Sequence, residues 1–319
     1  MYTYSLYGLV VESNTEFPQL LEWDGQADSA HAADICIEIT DDTSLQEKYM
    51  SFLEKGAVHH FTEHGVWFHN QAGDFLIETI DGKTRMICEK CADVDIGIAR
   101  SFLMGNCIAL AMTQRKKVVL HGSTLCFGDK TVLVCGDSGT GKSTTAMALI
   151  DEGARLMADD ISVIDIDTDG AAYAFPAFPE QKVCRDAAVS RGLNLDELRY
   201  IDEERDKFSY LRKDIFVNEK RKVDYMISLH LAADNQDEKE FEDGIRIVNI
   251  DGAEKVNAIT DRFFLDWLYG YELRLEPAEM MKCIALAAQI KVIDVTRNKE
   301  MDTKKALTKA LIKELNKQE

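Results

Sequence analysis

Gly136-Asp-Ser-Gly-Thr-Gly-Lys-Ser143 is a complete match to the G-x-x-x-x-G-K-[ST] phosphate-binding loop. Its parts have separable jobs. Gly136, Gly139 and Gly141 let the chain bend tightly with its backbone N–H groups facing inward. Those groups, with the positive end of the following helix, make a nest for phosphate oxygens. Lys142 can reach the β- and γ-phosphates, and the Ser143 hydroxyl can sit on Mg²⁺. The whole run, with Asp137, Ser138, Thr140 and the trailing Thr144, is the candidate nucleotide-binding segment. Its flanks agree. Thr131-Val-Leu-Val-Cys135 reads as a strand leading into the loop, and Ser143 to Asp151 as a helix with Ala146, Leu149 and Ile150 on one side.

The chain around the loop is 319 residues, enough for two domains or one large one. Its 46% hydrophobic and 29% charged content is ordinary for a globular protein. The net charge of −19 disfavours sequence-independent binding to nucleic acid. The longest apolar run, Phe102 to Met112, is interrupted by Gly105 and Asn106 and falls short of the ~18 residues of a membrane helix. The start, Met-Tyr-Thr-Tyr-Ser, lacks a basic segment followed by an apolar one, so the cytoplasm is the default compartment. Cys36, Cys107, Cys135 and Cys283 lie in apolar runs and read as buried thiols. Cys88-Glu-Lys-Cys91 has no second pair to complete a zinc site, and His59, His60, His64 and His69 fit no strong metal motif. From Lys182 to Lys222, eleven Lys/Arg face nine Asp/Glu, a net of +2. That stretch reads equally as a wall for an anionic ligand or as a solvated surface.

The first third reads as strands at Leu6–Glu12, Ile35–Thr40, Val58–Thr62, Val66–Asn70, Phe75–Thr79 and Thr84–Glu89, punctuated by Gly65, Ala72-Gly73-Asp74 and Asp81-Gly82. A helix follows over about 93–114, and a domain change is expected near Arg115-Lys116-Lys117. This divides the chain into a β-rich domain, 1–115, and a phosphate-loop domain, 116–319. Val118 to Cys126 reads as a strand, then Phe127-Gly128-Asp129-Lys130 as a tight turn into the strand that feeds the loop. A turn that short joins antiparallel neighbours, so the expected α/β fold has a mixed sheet. Gly153-Ala-Arg-Leu-Met-Ala-Asp-Asp160 returns to a strand that continues through Ile166. Residues 186–211 read as helical and loop-rich, 234–244 as an acidic loop. Further strands are expected at Val223–Leu231, Ile245–Ile250 and Val292–Thr296, and helices at Val256–Trp267, Ala278–Gln289 and Thr303–Asn316.

Asp159-Asp160 lies seventeen residues after Lys142. Phosphoryl transfer needs the metal held, charge neutralised and the accepting hydroxyl oriented. Two carboxylates can divide these jobs, one on Mg²⁺ and the other taking the hydroxyl proton. Adjacent strand residues point to opposite faces, so the two are not expected to act as an equivalent pair. His121 opens a His-Gly-Ser motif on the preceding hairpin strand, where it can lie alongside the loop.

Together, His121-Gly122, Gly136 to Ser143 and Gly153 to Asp160 resemble the catalytic core of the HPr kinase/phosphorylase family. The resemblance covers about 118–166. It implies a fold related to phosphoenolpyruvate carboxykinase, ATP and Mg²⁺ as cofactors, and phosphorylation of a serine hydroxyl. It implies Asp159 as general base, Ser143 and Asp160 on the metal side, and His121 as an active-site neighbour. Thr144 stands where the family usually has glutamate, and no good copy of its E-I-R-G-x-G segment follows. Tyr4-Ser-Leu-Tyr-Gly-Leu-Val-Val-Glu12 and Phe175-Pro-Ala-Phe-Pro-Glu-Gln-Lys182 are more similar to divergent members found with peptide-modifying systems, including lasso-peptide kinases. HPr itself is therefore a weak candidate substrate. The leading reading is a kinase acting on serine of a peptide or protein. A small-molecule hydroxyl acceptor and a nucleotide-binding regulator with little turnover are the alternatives, and a homo-oligomer is compatible with either.

Overall fold

A computed structural model describes residues 1–25, 32–202, 206–233, 241–265 and 274–317. The chain folds as a mixed α/β protein built on two large sheets and a small one. The first sheet takes β1 (Tyr2–Leu6), β2 (Leu9–Ser13), β3 (Leu21–Glu22), β4 (Ile35–Thr40), β5 (His59–Phe61), β6 (Gly65–Asn70), β7 (Gly73–Ile80) and β8 (Lys83–Lys90), in the order β3-β1-β2-β4-β8-β7-β6-β5. Strand alternation in β4 turns Ile35 and Ile37 inward and leaves Cys36 exposed, contrary to its expected burial.

Two local features of this sheet depart from the sequence reading. The strand expected over Leu6–Glu12 is a hairpin. Tyr7 and Gly8 both take positive φ, 51° and 74°, the geometry of a type I′ turn. The helix α1 (Ser44–Leu53) has no counterpart in that reading, because its anionic cap is not local. Glu89, on β8, accepts the Leu45 and Gln46 N–H groups at 2.6 and 3.0 Å.

The helix after β8 is continuous from Ile96 to Gln114. Gly105 and Asn106 do not break it. A π-helical turn, Leu103–Cys107, joins α2 (Ile96–Phe102) to α3 (Ile108–Gln114) and absorbs the misfit. By length and composition these 19 residues meet the requirement for a membrane span, which the interrupted run does not suggest, and 61% of their apolar window is buried inside the protein.

The second sheet uses β9 (Val118–Phe127), β10 (Lys130–Gly136), β11 (Arg155–Ala158), β12 (Ile161–Ile166) and β13 (Ala172–Phe175). A small three-stranded sheet follows from β14 (Glu180–Cys184), β15 (Arg199–Asp202) and β16 (Lys207–Leu211), ordered β14-β16-β15, the last two within the 186–211 stretch expected to be helical and loop-rich. The helix α4 (Lys142–Asp151) leaves the phosphate loop, and α5 (Arg185–Ser190) follows β14. Strands β17 (Arg221–Lys222), β18 (Tyr225–Leu231), β19 (Ile245–Ile250) and β20 (Lys291–Arg297) complete the second sheet, ordered β17-β13-β12-β9-β10-β18-β20-β19 with β11 also on β9. As the short turn predicts, β9 and β10 are antiparallel, while β10, β18 and β20 run parallel. Helices α6 (Glu254–Thr260) and α7 (Pro277–Gln289) cover one face, and α4 with α8 (Lys304–Leu315) the other. The helix expected over Val256–Trp267 stops at Thr260, because the chain then turns and Phe263 bridges to Leu120 of β9; residues 266–267 and most of the acidic 234–244 loop lie outside the described residues.

The core of the first sheet continues past residue 115 into Val119, Ile161, Val163 and Ala177. The β1–β2 turn sits at this junction. The buried Tyr7 hydroxyl donates to the Ile161 carbonyl at 3.0 Å, and the Tyr7 N–H donates to the Pro176 carbonyl at 2.9 Å. Tyr7→Phe keeps the ring and removes one buried donor, so it should lower unfolding free energy by about 1 kcal/mol in urea titration. An unchanged midpoint would show that the bond contributes nothing.

Candidate active site

The phosphate loop leaves β10 at Gly136 and enters α4 at Lys142, with Gly141 as the N-cap in the left-handed region at φ 99°. A Cβ on Gly141 would stand 2.0 Å from Arg297 Nη1, which instead donates to the Thr140 carbonyl at 2.7 Å. The close approach of an arginine to the loop backbone explains glycine there. The Asp137 carbonyl accepts three times, from Thr140 Oγ1 at 2.8 Å, from Lys142 Nζ at 3.0 Å and from the Thr140 N–H at 3.3 Å. The first helical amide to find an acceptor in the loop is Thr145 N–H, on Gly141 O at 2.8 Å. The N–H groups ahead of it, at the positive end of α4, suit an anion. Ser138 and Gly139 are exposed, as is Thr144, while Ser143 is half-buried.

The carboxylates do not sit as a strand would place them. The strand expected through Asp160 divides into β11 and β12, both paired with β9, and Asp160 between them takes φ 68°. The break turns both carboxylates toward one residue, Lys182 on β14. Asp159 Oδ2 accepts the Lys182 backbone N–H at 2.8 Å, and Asp160 Oδ2 accepts Lys182 Nζ at 2.9 Å. Ser123 Oγ donates to Asp159 Oδ1 at 2.6 Å, and His121 Nε2 lies 3.5 Å from Asp160 Oδ1. His121 and Ser123 are two apart on β9 and so share a face. Gly122, between them, is required by crowding. A Cβ there would lie 2.6 Å from Val134 O and 2.7 Å from Cys135 Sγ across the hairpin.

These surroundings split the two acids. Burial raises the Asp159 pKa, against the bonds from Ser123 and the Lys182 N–H. Burial would raise Asp160 as well, but Lys182 and then His121 outweigh it and hold that carboxyl well below the ordinary range. Lys182 is raised in turn, since the attraction of Asp160 overcomes its own desolvation. Burial lowers Lys142, partly offset by Asp160, so the loop lysine and the acid cluster share one local field. One acid inclined to hold a proton beside one that stays ionised is the division expected of a proton acceptor and a metal group.

Mg²⁺ takes one or two protein carboxylates and fills its remaining sites with phosphate oxygens and water. The Asp160 oxygens already lie against Lys182 and His121, and the Ser143 hydroxyl stands half-buried at the start of α4. Among the described residues no cluster of three or more His, Cys, Asp or Glu is gathered. Of the basic stretch 182–222, Lys182 faces the acids. Arg185, Arg191, Arg199 and Lys220 instead pair with Asp206, Asp151, Glu180 and Asp167, as a solvated surface would.

Sequence reasoning does not single out Ser123, Lys182, Arg262 or Arg297. Ser123 closes the quoted His-Gly-Ser motif, and Lys182 ends the quoted Phe175–Lys182 segment. Arg262 and Arg297 carry no local signal.

The geometry is that of a phosphate loop facing a paired-acid cluster, and known proteins give it a class. Residues 112–177 match the HPr serine kinase C-terminal domain family. HPr kinase/phosphorylases from two strains of Treponema pallidum are each 48% identical over 44 residues, 14% of this chain. The chain spans 14% of the length of these curated relatives. A solved HPr(Ser) kinase/phosphatase from Coxiella burnetii aligns over 62% of this chain and 95% of its own at 16% identity and a TM-score of 0.30. Residues 112–177 are thus similar to the C-terminal domain of the HPr kinase family, and the likeness is centred on that stretch.

Lys182→Met would leave Asp160 half-buried beside Asp159 without its cation. The expected loss is about 2–3 kcal/mol of unfolding free energy at neutral pH. A carboxylate held below its unfolded pKa stabilises the fold above that pKa, and the contribution is lost as pH falls through the folded value. The gap between wild type and Lys182→Met should therefore narrow as pH drops below about 4. Urea titrations at neutral and acidic pH measure it, and a pH-independent gap would mean that lost packing, not charge, is responsible.

Proposed function

We propose that this chain is an ATP-dependent kinase that uses Mg²⁺ to move the γ-phosphoryl group onto a hydroxyl, serine of a peptide or protein. The observation that carries the reading is the cluster in which Ser123 and Lys182 hold Asp159 and Asp160 at 2.6 to 2.9 Å, beside the hairpin that feeds the phosphate loop. A loop that only bound nucleotide would not need a split acid pair at its mouth. When bound, Mg²⁺ supplies charge neutralisation across the transferring phosphates.

The residues then divide the work. Loop N–H groups and Lys142 orient the triphosphate. Asp160 and Ser143 hold the metal side. Asp159, steadied by Ser123 and the Lys182 amide, accepts the acceptor's hydroxyl proton as the new O–P bond forms and the bond to the β-phosphate oxygen breaks. His121, packed edge-on against Phe264 with ring centroids 5.4 Å apart, keeps Asp160 in place. On this reading residues 116–319 form the catalytic unit. Residues 1–115 form a second unit that buttresses the Asp159–Asp160 break through Tyr7.

The test is incubation with labelled ATP and Mg²⁺ in extract of the protein's own cell, followed by mass spectrometry of the labelled species. Wild type should label a peptide or protein on serine. Lys142→Ala and Asp159→Asn should each lower transfer by at least about a thousandfold while the circular dichroism spectrum is retained. Slow ATP hydrolysis with no labelled acceptor would favour a regulator. Undiminished turnover in Asp159→Asn would remove Asp159 from the base role.

A further inference from the structure

Arg262 follows α6 and is 6% exposed, although it ends at the mouth of the phosphate loop. Its guanidinium is fully engaged. Nη1 donates to Asp137 Oδ1 at 2.6 Å, Nε to Ser228 Oγ at 3.0 Å, and Nη2 to the His230 ring at 3.1 Å from Nδ1. His230 Nε2 lies 2.8 Å from Asp294, on the neighbouring strand β20. With Nε2–H donating to Asp294, Nδ1 is free to accept from Arg262. The arginine is therefore held from behind by two strand-borne groups, Ser228 and His230, the latter steadied by Asp294, and presents one edge to the loop. Its backbone is used as well, since His121 N–H donates to the Arg262 carbonyl at 2.8 Å.

The partner of that edge presents an electrostatic problem. Asp137 is the second residue of the phosphate loop, and its side chain is 72% exposed. Its carbonyl is bound by Lys142 Nζ at 3.0 Å, the ammonium that reaches β- and γ-phosphates in such loops. A carboxylate at that spot stands beside the most highly charged end of a nucleotide. Two like charges a few ångströms apart repel by amounts that decide binding. The Asp137–Arg262 pair also walls an open cleft of about 510 Å³ with His230, Thr260 and Asp261. The pair is therefore accessible from this cleft.

We propose that Arg262 is a positioning residue of the phosphate loop, one that draws the Asp137 carboxylate aside and cancels its charge so that a triphosphate can enter. The proposal rests on the nucleotide-binding reading above and adds a residue that no loop motif contains. Asp137 is the only loop carboxylate, and Arg262 Nη1 ends on it at 2.6 Å.

Calorimetric titration of Mg·ATP into the full chain tests this in four proteins: wild type, Arg262→Met, Asp137→Asn and the double variant. Arg262→Met should weaken binding on the order of tenfold or more, because Asp137 is left uncompensated. Asp137→Asn should tighten binding about threefold or more. The double variant should return to within about threefold of wild type, since neither charge remains. A purely structural role for Arg262 predicts the opposite for the double variant, which would bind as weakly as Arg262→Met. That outcome overturns the proposal, as does unchanged binding by Arg262→Met or weakened binding by Asp137→Asn. Should Arg262→Met fail to fold by circular dichroism, the sign of the Asp137→Asn effect alone decides. Wild type that fails to bind Mg·ATP would overturn the kinase reading, and this proposal with it. Wild type that binds without rescue in the double variant would overturn this proposal alone.

Discussion

The antiparallel register of β9 on β10, with Gly122 opposite Cys135, is the constraint on which the site depends. That pairing sends β10 straight into the phosphate loop while its neighbour presents His121 and Ser123 on one face. The other edge of β9 carries β11 and β12, and the seam between them falls at Asp159 and Asp160. One strand thus sets the loop on one side and the acids on the other. The register tolerates no side chain at residue 122, because the opposite backbone lies 2.6 Å from where its Cβ would be. The glycine of the His-Gly motif is a packing requirement, and the histidine beside it is free to serve the chemistry.

A second constraint is charge. The chain is strongly acidic, at −19, yet the candidate substrate is itself a polyanion. Cations are correspondingly concentrated where loop and acids meet. Lys142 lies within the loop, Arg297 braces it at Thr140, Arg262 holds Asp137, and Lys182 spans both members of the acid pair. Three of these four come from elements remote from the loop in sequence. The site is assembled by β20, by β14 and by the turn after α6, which bring Arg297, Lys182 and Arg262 to it from distant parts of the sequence.

What is legible in the sequence is local. The loop, its feeding hairpin, the following helix and most strand positions are readable because turn chemistry and apolar periodicity operate over a few residues. The mixed sheet follows from the length of one turn. The left-handed backbone at Asp160 is not readable, because alternation along an apolar run hides a one-residue break. Nor is α1, whose cap comes from a strand 45 residues away. Arg262 lies 125 residues from the aspartate it binds, and nothing in its neighbours announces that contact. Lys182 is half-visible, at the end of a segment quoted for another reason. The helix through Gly105 and Asn106 is underestimated because interruption in polarity is not interruption in hydrogen bonding once a π turn is allowed.

The Tyr7 hydroxyl bears on how separable the two halves of this protein are. It supplies a hydrogen to the carbonyl of the residue directly after Asp160, and Gly8 packs against Phe175. The front hairpin is therefore masonry behind the acid cluster rather than an appendage. Exchange of the first ninety residues between relatives would have to carry a matching tyrosine turn, or the recipient's acids would rest on an unfilled wall. The two sheets are on that account mechanically joined at residue 161, and a change at Tyr7 is felt at the acids as well as in the hairpin.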